Sequence, residues 1–164
     1  MINWSTTRTP VGPFSAVVDD DGAVLASGWT ARLDELTALI GRRLLTGQPR
    51  EVADLGPVSR AVRAYHEGDL QAVDAVPVRQ SSGEFLEAAW QALRKVPAGQ
   101  PVSYAELAAL AGQPKAVRAA AGACARNAAA LFVPCHRVLR SDGSLGGFRY
   151  GTQIKQQLLD HENR

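Results

Sequence analysis

Apolar positions along this chain recur with two different periods. Between Phe14 and Trp29 they form short β-branched runs, FSAVVDD (14–20) and AVLASGW (23–29), around Asp20-Asp21-Gly22. An Asp-Gly pair between two such runs is a hairpin signal. From Leu33 the spacing lengthens: Leu33, Leu36, Leu39, Ile40 and Leu44 recur at three and four residues, which predicts a helix over 33–45. A loop with Gly47 and Pro49 leads to a second helix over 57–68, PVSRAVRAYHEG, closed by Gly68. Ser81 followed three residues later by Glu84 predicts a capping-box start for a helix over 84–96. With a linker placed between 70 and 83, the chain divides into an N-terminal α/β part, residues 1–76, and a mainly helical C-terminal part, residues 77–164. The first part is expected to carry a small antiparallel sheet with helices.

The second part opens on another capping box, Ser103-Tyr104-Ala105-Glu106. A helix over 104–111 stops at Gly112, and Pro114 suits the first turn of a following helix over 115–127. Two short helices joined by a tight glycine-containing turn describe a helix-turn-helix. A helix that reads bases carries several long polar side chains. This one carries Lys115, Arg118 and Arg126 on a body of Ala116, Ala119, Ala120, Ala121, Gly122 and Ala123. Small residues let a backbone approach DNA closely without selecting sequence, although a tightly packed core helix has the same composition.

Composition narrows the class. With 46% hydrophobic and 21% charged residues, the 164-residue chain is an ordinary globular protein, which excludes disorder, collagen and coiled coil. No apolar run approaches the ~20 residues of a membrane span, and the start, MINWSTTRTP, lacks the order of a signal peptide. A cytoplasmic protein with no membrane association is expected. Cys124 and Cys135 are too few for a disulfide framework or a cysteine-built zinc site, so no metal is expected. The formal net charge is +2, but residues 90–150 carry eight lysines and arginines against Glu106 and Asp142. Such a segment attracts nucleic-acid backbone, anionic substrates or acidic partners, or is a solvated face.

Candidate chemistry centres on FVPCHRVLR (132–140), where an apolar run ends in adjacent cysteine, histidine and arginine. In an extended segment neighbouring side chains point to opposite sides, so Cys135 and His136 are not expected to share one core. Near the C-terminus, Ile154, Leu158 and Glu162 recur at four residues in a helix over 152–164, so a carboxylate ends the stripe facing the core. A partly buried carboxylate needs a cationic or hydrogen-bonding partner; solvation near the chain end is the alternative. A cysteine paired with a histidine that a third group orients is the arrangement that generates a thiolate at neutral pH.

The stretch NAAALFVPCHRV (127–138) resembles the active-site signature of the 6-O-alkylguanine-DNA alkyltransferases, also called methylated-DNA–protein-cysteine methyltransferases. SYAELA with Tyr104, Arg118 in the helix-turn-helix, and KQQLLDHE ending in Glu162 extend the resemblance over 80–164. TPVGPFSAVVDDDG and AAWQALRKVPAG carry it more weakly over the rest. The resemblance implies an N-terminal α/β part and a C-terminal winged helix-turn-helix part. It implies Cys135 as alkyl acceptor, His136 as its activator through a water, Glu162 as the group holding the histidine, and Asn127 as the hinge. It places Arg118, Tyr104, Ala105, Gln113 and Ser141 on the DNA, with Arg118 occupying the place of the flipped base. It also implies a pocket lined by Tyr104, Val138, Phe148 and Arg149.

The activity implied is transfer of an alkyl group from 6-O-alkylguanine, and from 4-O-alkylthymine, to Cys135, once per molecule and without cofactor. The implied partner is double-stranded DNA holding an alkylated guanine, bound without sequence specificity by a monomer. A damage-binding protein that flags alkylated bases without repairing them is the alternative. A helix-turn-helix regulator lacks the base-reading side chains here, and a thiol hydrolase or redox enzyme remains a further use of Cys135 and His136. The chain departs from the family pattern at Ala98, at Ala128, where proline is common, and at GGFRYG (146–151), in the loop that closes on the alkyl group.

Overall fold

The first strand has no apolar run to announce it. β1 (Asn3–Thr9) is rich in threonine, which suits a pleated, half-buried surface, and it pairs antiparallel with β2 (Gly12–Val18), Asn3 opposite Val18 and Thr9 opposite Gly12. On their shared face the hydroxyls of Thr6 and Ser15 hydrogen-bond at 2.8 Å. β2 continues into β3 (Val24–Gly28) through the expected Asp-Gly turn. There the Asp19 carboxylate accepts the backbone N–H groups of Asp21 and Ala23 at 2.9 and 3.0 Å, and Gly22 takes a φ of +81° that a side chain would resist. A short β4 (Arg50–Glu51) adds to the other edge of β1 in parallel, giving the order β3-β2-β1-β4.

The helix expected over 33–45 is only α1 (Leu33–Thr37). Beyond Thr37 the bonds tighten to three-residue closures, Leu39 N–H to Leu36 O at 3.0 Å and Ile40 N–H to Thr37 O at 3.1 Å, and Gly41 then starts a separate turn with Leu44 at 2.9 Å. The apolar spacing still does its work, since Leu36 and Ile40 are buried with Ile2, Val17, Leu25, Ala26 and Ala128, with Leu33, Leu39 and Leu44 packed around them. Periodicity records which side chains are buried, and a succession of turns buries them as well as a helix does. α2 (Pro57–His66) begins with proline at its first position, where no N–H is needed. It buries Val58, Ala61, Val62 and Tyr65 and packs on β1.

The structure, a computed structural model, describes residues 1–164, which form two compact units. One comprises Met1–Gln80 together with Ala128–Phe132, the other Ser81–Asn127 and Val133–Arg164. In the second unit α3 (Glu84–Leu93) starts without the expected capping box: Gly83 holds the N-cap position, and the Ser82 N–H donates to Glu87 at 2.9 Å. It stops three residues short of Val96 because Pro97 follows, and the residue before a proline is disfavoured in helical conformation. α4 (Tyr104–Leu110) carries the reciprocal capping box, Glu106 N–H to Ser103 Oγ and Ser103 N–H to Glu106 Oε1, both at 3.0 Å.

α5 (Val117–Ala125) is two residues shorter at each end than expected, and Pro114 lies in the preceding turn rather than in its first turn. Its buried residues are Ala120 and Ala123. The Trp90 indole N–H donates to Ala123 O at 2.9 Å and ties α3 to it. A two-stranded parallel pair, β5 (Val102–Ser103) with β6 (Val138–Leu139), and α6 (Thr152–Glu162) complete the unit. No helix is long and apolar enough to cross a membrane.

Candidate active site

Cys135, His136 and Arg137 form a single 3₁₀ turn leading into β6. At three residues per turn, successive side chains point about 120° apart rather than alternating. All three are therefore buried, with 8%, 0% and 3% of their surfaces exposed, which corrects the expectation for an extended segment. α6 packs against this turn and delivers Glu162 to it.

The Glu162 carboxylate receives three charge-assisted hydrogen bonds. His136 Nε2 lies 2.7 Å from Oε2, Arg137 Nε donates to Oε1 at 2.9 Å, and Arg137 Nη2 donates to Oε2 at 3.0 Å. The remaining Arg137 arm donates to Val96 O at 2.7 Å. The partner the C-terminal carboxylate needed is thus both the histidine and an arginine that sequence reasoning passed over. An arginine wedged between His136 and the apolar pair Val138-Leu139 was the available signal, because such a cation has to find a carboxylate.

The stripe of α6 differs from the expectation at its first position. Its buried residues are Lys155, Leu158 and Glu162, whereas Ile154 is half-buried. Lys155 is fully buried, and its ammonium donates to Val138 O at 2.7 Å, to Leu145 O and to Gly147 O at 3.3 Å. Lysine is rarely inside unless it is paired, so only the three-then-four spacing from Lys155 to Glu162 hinted at it.

The electrostatics follow from this burial. His136 and Arg137 hold the Glu162 carboxyl far below the usual carboxylate range against the opposing effect of burial. Burial pushes His136 below the ordinary histidine value, although Glu162 pulls it upward. A neutral imidazole beside an ionised carboxylate places its proton on Nε2 and leaves Nδ1, buried and without a protein partner, as an acceptor. Burial pushes the Cys135 thiol up, opposed by a hydrogen bond from Asn127 and by the charges of Lys155 and Arg149. Burial thus favours the neutral form of both the Cys135 thiol and the His136 imidazole. Tyr104 is raised by burial and by both thiols, so it stays a hydroxyl.

These shifts set an acid limit on stability. A histidine held below its unfolded value of about 6.5 makes the unfolded chain the better proton acceptor, so stability falls as pH drops through about 6.5. Glu162, depressed below an unfolded value of about 4.3, contributes stability that is present above that pH and lost as pH falls further. Thermal midpoints measured by circular dichroism should decline in two stages below neutrality. A midpoint unchanged between about pH 7 and pH 5 would contradict the buried neutral histidine.

The other expected residues divide into two groups. Asn127 is buried; its Nδ2 donates to Val133 O at 2.8 Å and its side chain bonds the Cys135 thiol. Val138 is buried, and Tyr104 is half-buried in the first turn of α4. Tyr104 lies against Gly146, where a Cβ would sit 2.7 Å from the phenol oxygen and where φ is +70°, so this loop position admits only glycine. Phe148 is half-buried and meets Tyr150 edge-on at 5.8 Å. Arg149 is exposed and reaches the end of α5, donating to Asn127 O at 3.1 Å and to Ala125 O. Arg118, Gln113 and Ser141 are exposed and Ala105 half-buried, on the surface of the helix-turn-helix and in the loop after β6 rather than in the buried constellation.

Residues 84–164 match the family model described as the DNA-binding domain of 6-O-methylguanine DNA methyltransferase. An α/β unit with a helix-turn-helix unit that buries a cysteine, a histidine and a carboxylate together is the class that fold and site define. The chain belongs to the methylated-DNA–protein-cysteine methyltransferase family. It is 41% identical to the protein of that name from Methanosarcina acetivorans over 162 residues, covering 97% of each chain. It is 55% identical over 78 residues to the bifunctional transcriptional activator/DNA repair enzyme Ada of Escherichia coli, a match spanning 48% of this chain and 22% of that longer protein. Among solved structures, Mycobacterium tuberculosis OGT in complex with DNA is similar with a TM-score of 0.80 at 25% identity, covering 98% of this chain and 92% of that one.

Proposed function

We propose that this chain repairs DNA by moving the alkyl group of a 6-O-alkylguanine onto its own Cys135. The observation that carries the reading is the buried relay beside the thiol: an ionised Glu162 on His136 Nε2, and an Nδ1 free to accept. In the reaction the Cys135 proton passes through a water to Nδ1, and the sulfur attacks the alkyl carbon. An S–C bond forms, the C–O bond to the base breaks, and the departing guanine takes one proton from Tyr104, which the imidazolium's proton then restores through water. Glu162, with Arg137 behind it, stabilises the imidazolium that forms. The Tyr104 hydroxyl, kept protonated by its surroundings, is the donor toward the leaving base. The thioether is stable and no residue here removes it, so each molecule acts once.

An alkyl group stacked inside a duplex cannot reach a nearly buried sulfur, so the nucleotide must rotate out, at a loss of a few kcal/mol of stacking. The exposed Arg118 on α5 is the side chain we assign to the vacated stack, with Gln113, Ala105 and Ser141 on the backbone around it. An alanine-rich α5 supports binding to double-stranded DNA through phosphates and shape without sequence selection, by one copy of the chain. Val138 and Phe148 with Tyr104 bound the alkyl pocket, Arg149 holds the loop from the end of α5, Asn127 is the hinge beside it, and 4-O-alkylthymine offers the same C–O bond. Residues 77–164 form the alkyltransferase domain in this reading, and 1–76 the α/β domain. A protein that only flags damage has no use for Cys135, and the named relatives favour transfer.

The decisive test is the intact-protein mass after mixing with an oligonucleotide holding 6-O-methylguanine, followed by peptide mapping. A gain of one methyl group on Cys135 is expected. An unchanged mass from folded, reduced protein, with the lesion still in the DNA, would refute transfer.

A further inference from the structure

The loop between β6 and α6, residues 140–151, is tied down in three chemically different ways. From below, the buried Lys155 ammonium holds the carbonyls of Leu145 and Gly147. From one side, Gly146 is pressed against the Tyr104 ring. The third tie is Arg149, whose guanidinium donates to Asn127 O at 3.1 Å and to Ala125 O. Those carbonyls belong to the C-terminal end of α5, where helical C=O groups lack intrahelical partners and the helix end favours a cation. Asn127 is also the residue whose side chain holds Val133 O and the Cys135 thiol, so this tie joins the loop to the backbone beside the nucleophile. The first two ties are buried or partly buried. Arg149 is exposed, and water can replace its bonds.

We propose that Arg149 is a positioning residue that sets the size of the alkyl group the site accepts, by latching the 146–151 loop to the end of α5. This rests on the alkyl-transfer reading and deepens it. A methyl group enters with the latch closed. A benzyl-sized group needs the loop displaced, so it alone bears the loss of the guanidinium bonds. Removing the latch then favours bulky groups selectively, by roughly tenfold if the two exposed bonds together are worth about one charge-assisted hydrogen bond.

The test uses the full chain, its Arg149→Ala variant and its Arg149→Lys variant. Single-turnover rates are measured on duplexes holding 6-O-methylguanine or 6-O-benzylguanine. A second readout needs no DNA: labelling of Cys135, followed by peptide mapping, with a small reagent (iodoacetamide) and a bulky one (a pyrene maleimide). In Arg149→Ala both bulky-to-small ratios should rise about tenfold, and Arg149→Lys, which keeps the charge but cannot bridge two carbonyls, should lie between. Ratios unchanged in Arg149→Ala, or both rates lowered by one common factor, would overturn the latch. Wild-type behaviour of the selectivity in Arg149→Lys would overturn it as well, because charge alone would then suffice. If the wild-type chain takes up neither group from DNA, the transfer reading fails, and the reagent ratio still decides whether the latch exists.

Discussion

Cys135→Ala is expected to abolish alkyl uptake while leaving binding to double-stranded DNA intact. The loss is complete because no other nucleophile sits at the relay. Cys124, on α5, is the one other thiol, and burial together with the Cys135 thiol pushes it above the ordinary range. Binding should survive because, in the proposed reading, it rests on the cationic and small residues of the helix-turn-helix, which the substitution does not touch. The check pairs intact mass with fluorescence anisotropy on a labelled duplex. One methyl group still gained, mapped to Cys124, would move the nucleophile from the 3₁₀ turn to α5. Loss of binding together with uptake would mean that the variant has misfolded or that Cys135 shapes the DNA surface.

Glu162→Ala has the second large effect, and it acts on stability and chemistry together. It leaves the Arg137 guanidinium buried with only Val96 O as partner and removes the acceptor of His136 Nε2. Breaking a buried ion pair by deleting one member costs about 3–5 kcal/mol, a large fraction of the ~5–15 kcal/mol that holds a domain folded. Urea unfolding should show a shifted midpoint with little change in slope. Glu162→Gln separates the two roles, because it keeps the shape and an acceptor oxygen but not the charge. Its folded fraction should transfer alkyl groups about 10²–10⁴-fold more slowly, the usual weight of a general base, here His136, whose imidazolium Glu162 no longer stabilises. A Glu162→Gln variant with wild-type single-turnover rate would show that the imidazolium needs no counter-charge, and proton removal through His136 would have to be abandoned.

How the site is assembled explains which parts of it were legible. Ser103 and Glu106 are three residues apart, and their reciprocal bonds close within one turn, so the start of α4 could be read directly. The same holds for the Asp19–Gly22 turn, whose bonds span four residues. Ser81 and Glu84 have the same spacing and do not cap, because the helix starts at Glu84 with Gly83 at the N-cap and Ser81 two residues before it. Local pattern offered both possibilities, and packing chose between them. The Cys135-His136 pair, the carboxylate ending α6 and the helix-turn-helix were all visible as residue types at informative spacings. The α/β character of the first unit was visible too, apart from the polar β1 and the two-residue β4, which only cross-strand pairing creates.

Amino-acid order alone settled part of what depends on neighbours within about one turn: the Ser103 cap, the hairpin turn, the adjacency of thiol and imidazole, and the run of small residues on α5. Tertiary structure decided the rest, because those interactions join residues far apart in the chain. His136 meets Glu162 across 26 positions and Arg137 meets Val96 across 41, and no spacing rule reaches that far. Burial then chose Lys155 over Ile154 as the inward position of α6, since only a long ammonium could satisfy the carbonyls of Val138, Leu145 and Gly147 together. It also opposes ionisation of both members of the pair. Cysteine beside histidine suggests a thiolate, but a thiol removed from water holds its proton until a reaction draws it away.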